Sequence, residues 1–173
     1  MSELLVHFAV PFAALVLLGS GFRRASFASL FALLPDLDAL LRVHRSFTHS
    51  LIIVLVFALP LFVLAQGLSR DFMLLALLGV SFHLTLDLFT GYTPLLWPLY
   101  GDSLLIWAEL GAHIASPSSL SLDVGLLTTP TTFSYLESLD APLFTGEGLI
   151  TSLILLVPPV LRGLRPGKWA EDE

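Results

Sequence analysis

A histidine and an aspartate stand four residues apart in the segment SFHLTLDLF, as His83 and Asp87. Residues at this spacing lie on one face of an α-helix, so both side chains can reach the same point. Thr90, seven residues after His83, continues that face. Imidazole nitrogens and carboxylate oxygens together suit zinc, manganese or iron. The spacing therefore predicts part of a metal site on one helix.

Two further aspartates follow a proline in the segment LLPDLD, as Asp36 and Asp38. Pro35 disfavours helical geometry for the residue before it. An extended Asp-Leu-Asp would point both carboxylates to one side, whereas a helix would separate them. We therefore expect an extended segment that offers two oxygen ligands.

The segment HRSFTHS places His44, Arg45 and His49 between two apolar runs. Ser46 or Thr48 could cap the helix that follows, whose first turn would then hold His49. The planar guanidinium of Arg45 suits phosphoryl oxygens, although a structural ion pair with one of the two aspartates is an alternative. His44 is expected to be a ligand or a general acid/base.

These groups predict a hydrolytic metal site, because a bound metal can activate water and stabilise both oxygens of a phosphoester displacement. Seven candidate ligands exceed the needs of one tetrahedral zinc, so one or two divalent ions are expected, with zinc first and manganese or iron as alternatives. The expected metal ligands are His7, Asp36, Asp38, His49, His83 and Asp87, and the expected catalytic residues are His44 and Arg45.

The composition indicates that lipid is the main solvent of this chain. Of 173 residues, 55% are hydrophobic and 13% are charged, against about 25% charged in soluble domains. The mean hydropathy is +0.87. A net charge of −6 argues against a nucleic-acid-binding protein, which normally shows a basic face. The absence of cysteine excludes disulfides and thiolate zinc sites.

A membrane helix needs about 20 mostly apolar residues, and several stretches approach that length. We therefore predict an all-α fold, a polytopic transmembrane helical bundle that forms a single membrane domain over residues 1–173. Within residues 91–142, rich in proline, serine and threonine, we expect loop and a short interfacial helix at LLIWAELGAHIA. The predicted membrane segments are residues 4–20, 27–41, 51–68, 72–90 and 143–161.

The basic residues favour five crossings with the N-terminus outside. That topology leaves six of the eight lysines and arginines on the cytoplasmic side, as the positive-inside rule prefers. If residues 27–41 only dip into the membrane, the split becomes even. Five crossings bring all the expected ligands to one face, so a multi-pass cell-membrane protein with an extracytoplasmic site is expected.

The order of these segments resembles a known family. An early histidine followed by LLPDLD, HRSFTHS, HLTLDLFT and TPLLWPL is similar to the membrane-bound metal-dependent hydrolases, also described as LexA-binding inner-membrane hydrolases. The likeness covers roughly residues 4–100 and implies a helical membrane protein whose functional set is that given above. The ligand pattern is distantly similar to that of zinc-dependent phospholipase C.

The leading hypothesis is therefore a membrane hydrolase of phosphoesters, whose partner is a membrane lipid or a lipid-linked substrate. A transporter could use the same histidines and aspartates as a cation or proton path. A non-catalytic interaction protein is the third class. The sequence does not determine the oligomeric state.

Overall fold

The structure, a computed structural model, describes residues 4–43, 45–64, 70–114, 119–135, 137 and 145–163. Two 3-10 segments, Pro35–Leu41 and Phe47–His49, connect the second helix to the third. The elements are helices α1 (Leu4–Leu17), α2 (Phe22–Phe31), α3 (Leu51–Leu64), α4 (Arg70–Thr90) and α5 (Gly146–Gly163), and strands β1 (Asp102–His113) and β2 (Ser119–Pro130).

Helix α1 is the centre of the helical body, because it packs against α2, α4 and α5. Its apolar residues supply most of a small buried core, in which Phe12 and Val16 contact the alanines of α2. The rings of Phe12 and Phe22 meet edge to face at 4.9 Å between centroids. This packing fixes α1 against the helices that carry the remaining site residues.

Helices α2 and α4 approach each other closely at Gly79. A Cβ atom at this position would lie 2.0 Å from the carbonyl oxygen of Ala28, so a side chain cannot be accommodated without moving one helix. Small residues allow such backbone contacts between helices. The contact holds α4 against the segment that leads into the first 3-10 turn.

The segment that contains both aspartates is not extended. Pro35–Leu41 forms a 3-10 helix, and Leu34 has helical angles, which corrects the expected extended Asp-Leu-Asp. The proline is tolerated because it stands at the first helical position, where its missing N–H needs no partner.

The cap of helix α3 also differs from the expected one. The Ser50 hydroxyl oxygen accepts a hydrogen bond from the N–H of Ile53 at 3.2 Å, and the Ser46 side chain makes no cap bond. His49 therefore precedes helix α3, in a short 3-10 turn. The expected cap at Ser46 or Thr48 was wrong because the helix begins later than the sequence suggested.

Part of the region predicted as loop and interfacial helix is a β-hairpin. Strands β1 and β2 pair antiparallel over their full length, from Asp102 opposite Pro130 to His113 opposite Ser119. The segment LLIWAELGAHIA, read as a helix, lies mostly in β1. Alternating leucines in β2 favour a strand, because one face of the ribbon is then apolar.

The prediction of a polytopic all-α bundle was wrong. Within the described ranges, five helices accompany a two-stranded sheet, and only α4 is long and apolar enough to cross a membrane. The 14 residues of α1 rise roughly 21 Å, short of the roughly 30 Å of hydrocarbon. The predicted segment 27–41 divides into the end of α2 and a 3-10 helix.

Candidate metal centre

Four side chains from three parts of the chain bring one ligand atom each to a common point. They are Asp36 of the first 3-10 segment, His49 of the second, and His83 and Asp87 of α4. Their ligand atoms all lie within 4.8 Å of one another. Both histidines and Asp87 are fully buried. One turn of α4 separates its two contributions, so both point to the same side of that helix.

Five of the six distances between these atoms are close to the edges of a tetrahedron around a zinc-sized ion, and the sixth, between the two carboxylate oxygens, is within 4.8 Å. The Nε2 atom of His49 lies 3.2 Å from Nε2 of His83, 3.2 Å from Oδ2 of Asp87 and 3.6 Å from Oδ1 of Asp36. The Nε2 atom of His83 lies 3.5 and 3.8 Å from the same two oxygens. Metal–ligand bonds of 2.0–2.2 Å imply edges of roughly 3.3–3.6 Å.

The two carboxylate oxygens of this group face ring nitrogens rather than neutral donors. Oδ1 of Asp36 and Oδ2 of Asp87 are buried, and they lie against Nε2 of His49 and of His83. Buried carboxylates need a compensating cation, which is either the protonated imidazole of His49 or a metal ion that replaces its proton. The donor set and its spacing therefore fit a divalent ion.

Asp38 lies behind His49 rather than among the four ligand atoms. Its Oδ2 is 3.3 Å from Nδ1 of His49, the ring nitrogen that faces away from the ligand group. The same oxygen accepts hydrogen bonds of 2.9 Å from the backbone N–H of Ser46 and the hydroxyls of Ser46 and Thr48. A carboxylate in this position holds the histidine in the tautomer whose Nε2 can bind a metal.

The outer oxygen of Asp87 is held by a second set of groups. Nη2 of Arg45 donates to Oδ1 of Asp87 at 3.3 Å and to the Thr90 hydroxyl at 3.0 Å. Nε2 of His7 lies 3.4 Å from the same oxygen. These contacts leave Oδ2 directed at the ligand group.

Arg45 fits this place because its neighbour is a glycine. A Cβ atom on Gly91 would lie 1.5 Å from Nη1 of Arg45. The backbone of Arg45 has a positive φ of 53°, an uncommon conformation that surrounding contacts must maintain.

The carboxylates set the protonation of His49 in the metal-free protein. Burial lowers the pKa of His49, but the carboxylates of Asp36, Asp38 and Asp87 outweigh it and raise that pKa to about 10. The imidazole is therefore protonated at neutral pH when no metal competes. A metal ion must displace this proton, because metal binding requires the neutral ring.

The structure thus brings seven of the eight expected site residues together, and His44 lies outside the described residues. Four of them form the ligand group. Of the other three, Asp38 lies behind His49, and His7 and Arg45 lie beside Asp87. Arg45 pairs with Asp87, not with either aspartate of the first 3-10 segment as the structural alternative supposed. The anchoring roles of Ser46, Thr48 and Gly91 were not predicted.

Comparison with known families identifies one described as YdjM inner membrane protein. Its match covers residues 1–157, a range that includes every residue of the centre. No curated protein and no solved structure gives a significant match.

Proposed function

Since the chain belongs to the YdjM inner membrane protein family, we propose that it is a membrane-associated, metal-dependent hydrolase. The observation that carries the proposal is the buried group of two imidazole nitrogens and two carboxylate oxygens at tetrahedral spacing. Buried ionisable groups are costly near a membrane and usually functional. The site in this proposal acts on phosphoesters such as a phospholipid headgroup or a lipid-linked phosphate.

Zinc is the first candidate ion, because two imidazole nitrogens and two carboxylate oxygens suit it and the group offers four ligands. Manganese and iron are the alternatives that accept the same donor atoms. Asp36, His49, His83 and Asp87 would hold the ion. When bound, zinc supplies Lewis acidity and a lowered pKa for water.

The protein's own groups would keep the ligands in place. Asp38 fixes the orientation of His49 through Nδ1, and its own position is fixed by Ser46 and Thr48. Arg45 neutralises the outer oxygen of Asp87 and keeps its carboxylate from rotating. Such outer contacts preorganise a site, so that little rearrangement is needed on binding.

Substrate would approach from the side of Asp36. This aspartate is 11% exposed, while the other three ligands are fully buried. Its Oδ1 is also the ligand atom farthest from His49 and His83. Arg45 is 15% exposed, so a positive charge lies near the centre to balance a phosphoryl group.

A structural metal site is the second candidate. Four protein ligands already complete a tetrahedron, whereas catalytic zinc sites usually keep a position for water. In the hydrolase proposal, His49, His83 and Asp87 would hold the ion, and Asp36, the most exposed of the four, would leave room for water. In the structural alternative, the ion only ties the 3-10 segments to α4.

Metal content and hydrolysis of the purified protein separate these functions. Wild type in detergent should retain about one zinc per chain and hydrolyse a panel of phosphodiesters and phosphomonoesters. His83→Ala should lose both properties, while Asp71→Asn, at an exposed carboxylate paired with Arg24, should keep both. Zinc without hydrolysis would favour the structural site, and wild type that binds no zinc would refute both.

Some sequence predictions remain untested. The general acid/base role of His44, a cation-path function and a binding function stay predictions. The extracytoplasmic position of the site was argued from five crossings, and it loses that support with the corrected fold.

A further inference from the structure

The outer half of the β-hairpin segregates its side chains completely by polarity. One face carries only apolar residues, and we call this set the hairpin apolar face. The opposite face of the same stretch carries Glu109, Gly111, His113, Ser119, Ser121 and Asp123. The hairpin apolar face consists of Ala108, Leu110, Ala112, Leu120, Leu122 and Val124.

The hairpin apolar face is uncovered in the isolated chain. Leu110, Leu120, Leu122 and Val124 are between 62% and 77% exposed. A two-stranded ribbon is at best marginally stable in water by itself, and a contiguous exposed apolar face of this kind marks a binding or membrane surface. Something must therefore cover this face in the working protein.

The polar face indicates that water, not protein, lies on the other side. Glu109 stands directly opposite Asp123 in the ladder, and both are exposed. Two like charges at this distance repel each other and are tolerated when water screens them. The ribbon thus has one face suited to water and one suited to hydrocarbon.

The base of the hairpin is attached to the end of helix α4. The helix ends at Thr90, and Thr93 exchanges backbone hydrogen bonds of 2.8 and 2.9 Å with Leu104 of β1. Since α4 is the described helix that is long and apolar enough to cross a membrane, its end is a point where the chain would meet the headgroups.

Exposed aromatic residues also lie near the end of α4. Tyr92 and Tyr100 lie between the end of α4 and the start of β1, and each is roughly 40% exposed. Tyrosine and tryptophan concentrate at membrane–water interfaces, where an apolar ring and a polar tip are both accommodated. The surface that continues from α4 into the hairpin is therefore of interfacial character.

We propose that the hairpin apolar face lies on the lipid bilayer, with its side chains in the boundary between headgroups and acyl chains. The acidic face then points to water, away from anionic lipid. The hairpin acts as an interfacial arm that holds the end of α4, and with it the residues around Asp87, at headgroup level. This inference depends on the hairpin and α4 and does not require that the metal centre be catalytic.

Single-cysteine labelling tests the proposal, because the natural chain has no cysteine. Val124→Cys and Asp123→Cys are neighbours on opposite faces and form a matched pair, with Leu122→Cys as a second reporter on the apolar face. Each full-length variant is labelled with an environment-sensitive fluorophore and placed in phosphatidylethanolamine–phosphatidylglycerol nanodiscs, one chain per disc. Iodide quenches from water, and doxyl-labelled lipid quenches from the bilayer.

The labels at positions 124 and 122 should emit at shorter wavelength, lose iodide quenching and be quenched by doxyl lipid. The label at position 123 should show the reverse. Equal iodide quenching on both faces would overturn the proposal. So would a label at position 124 that is exposed in one-chain discs and protected only in two-chain discs, since a second copy would then be the occupant.

Discussion

Replacement of Asp38 by asparagine removes a charge from behind the metal centre while it keeps the shape of the side chain. Asp38 is not one of the four residues of the ligand group, and its Oδ2 lies 3.3 Å from Nδ1 of His49. The amide oxygen of asparagine can still accept from Ser46 and Thr48. We therefore expect the 3-10 turn to persist and the metal to bind more weakly.

The size of the effect follows from this position. Loss of an outer-shell partner of a histidine ligand typically weakens metal affinity 10- to 100-fold, or about 1.4–2.7 kcal/mol. The three hydrogen bonds of 2.9 Å that hold Oδ2 indicate a rigid partner, which favours the upper part of that range. Asp87→Asn removes a ligand outright and should have a larger effect.

Zinc affinity is measured by competition with a chromophoric chelator at constant pH, on protein purified in detergent. Asp71→Asn is the matched control, because that carboxylate pairs with Arg24 at 3.4 Å on the exposed surface and exposed pairs contribute little. Circular dichroism of each variant checks that the helices are retained.

An Asp38→Asn protein that binds zinc as tightly as wild type would refute the assigned role of Asp38. An equal loss of zinc from Asp38→Asn and Asp87→Asn, with both variants folded, would also contradict that role. In that case Asp38 would be a direct ligand, as the sequence alone suggested.

Four further outcomes are expected. Zinc affinity measured between pH 6.5 and 8 should rise about tenfold per pH unit, because zinc displaces one proton from His49, whose pKa is about 10 without metal; a flat profile would contradict this. For the same reason, thermal unfolding of the metal-free protein should show stability lost as pH rises from 6.5 towards 10. Gly79→Ala should lower the free energy of unfolding by about 1–3 kcal/mol through overpacking, whereas Gly101→Ala, which meets open space, should not. Gly91→Ala should displace the Arg45 guanidinium and weaken zinc binding up to about tenfold, with little loss of stability. An unchanged zinc affinity would show that Arg45 does not orient the ligands.

The sequence predicted those ligands whose relative position is set by local helix geometry. His83 and Asp87 share a helical face by their spacing alone, and α4 includes both. The different roles of Asp36, in the ligand group, and Asp38, behind His49, could not be predicted from the sequence. They depend on a 3-10 turn that directs the two carboxylates to different nitrogens of His49. Such a turn is set by tertiary contacts with Ser46 and Thr48, which lie later in the chain.

The hairpin was not predicted from the sequence, because the composition of these residues is typical of loop. The prolines, serines and threonines of residues 91–142 indicated loop, and LLIWAELGAHIA within them was expected to form a short interfacial helix. The alternation of Leu120, Leu122 and Val124 with polar neighbours did carry a strand signal of period two. Cross-strand pairing with β1 then decides between helix and strand, and pairing of this kind is a property of two segments together.

The most direct test of the metal centre is anomalous scattering at the zinc edge from crystals of the full chain grown with zinc. If the centre binds zinc, the map should show one strong peak about 2.0–2.2 Å from Oδ1 of Asp36, Nε2 of His49, Nε2 of His83 and Oδ2 of Asp87. No peak between these atoms, or a peak elsewhere in the protein, would contradict zinc binding at this centre.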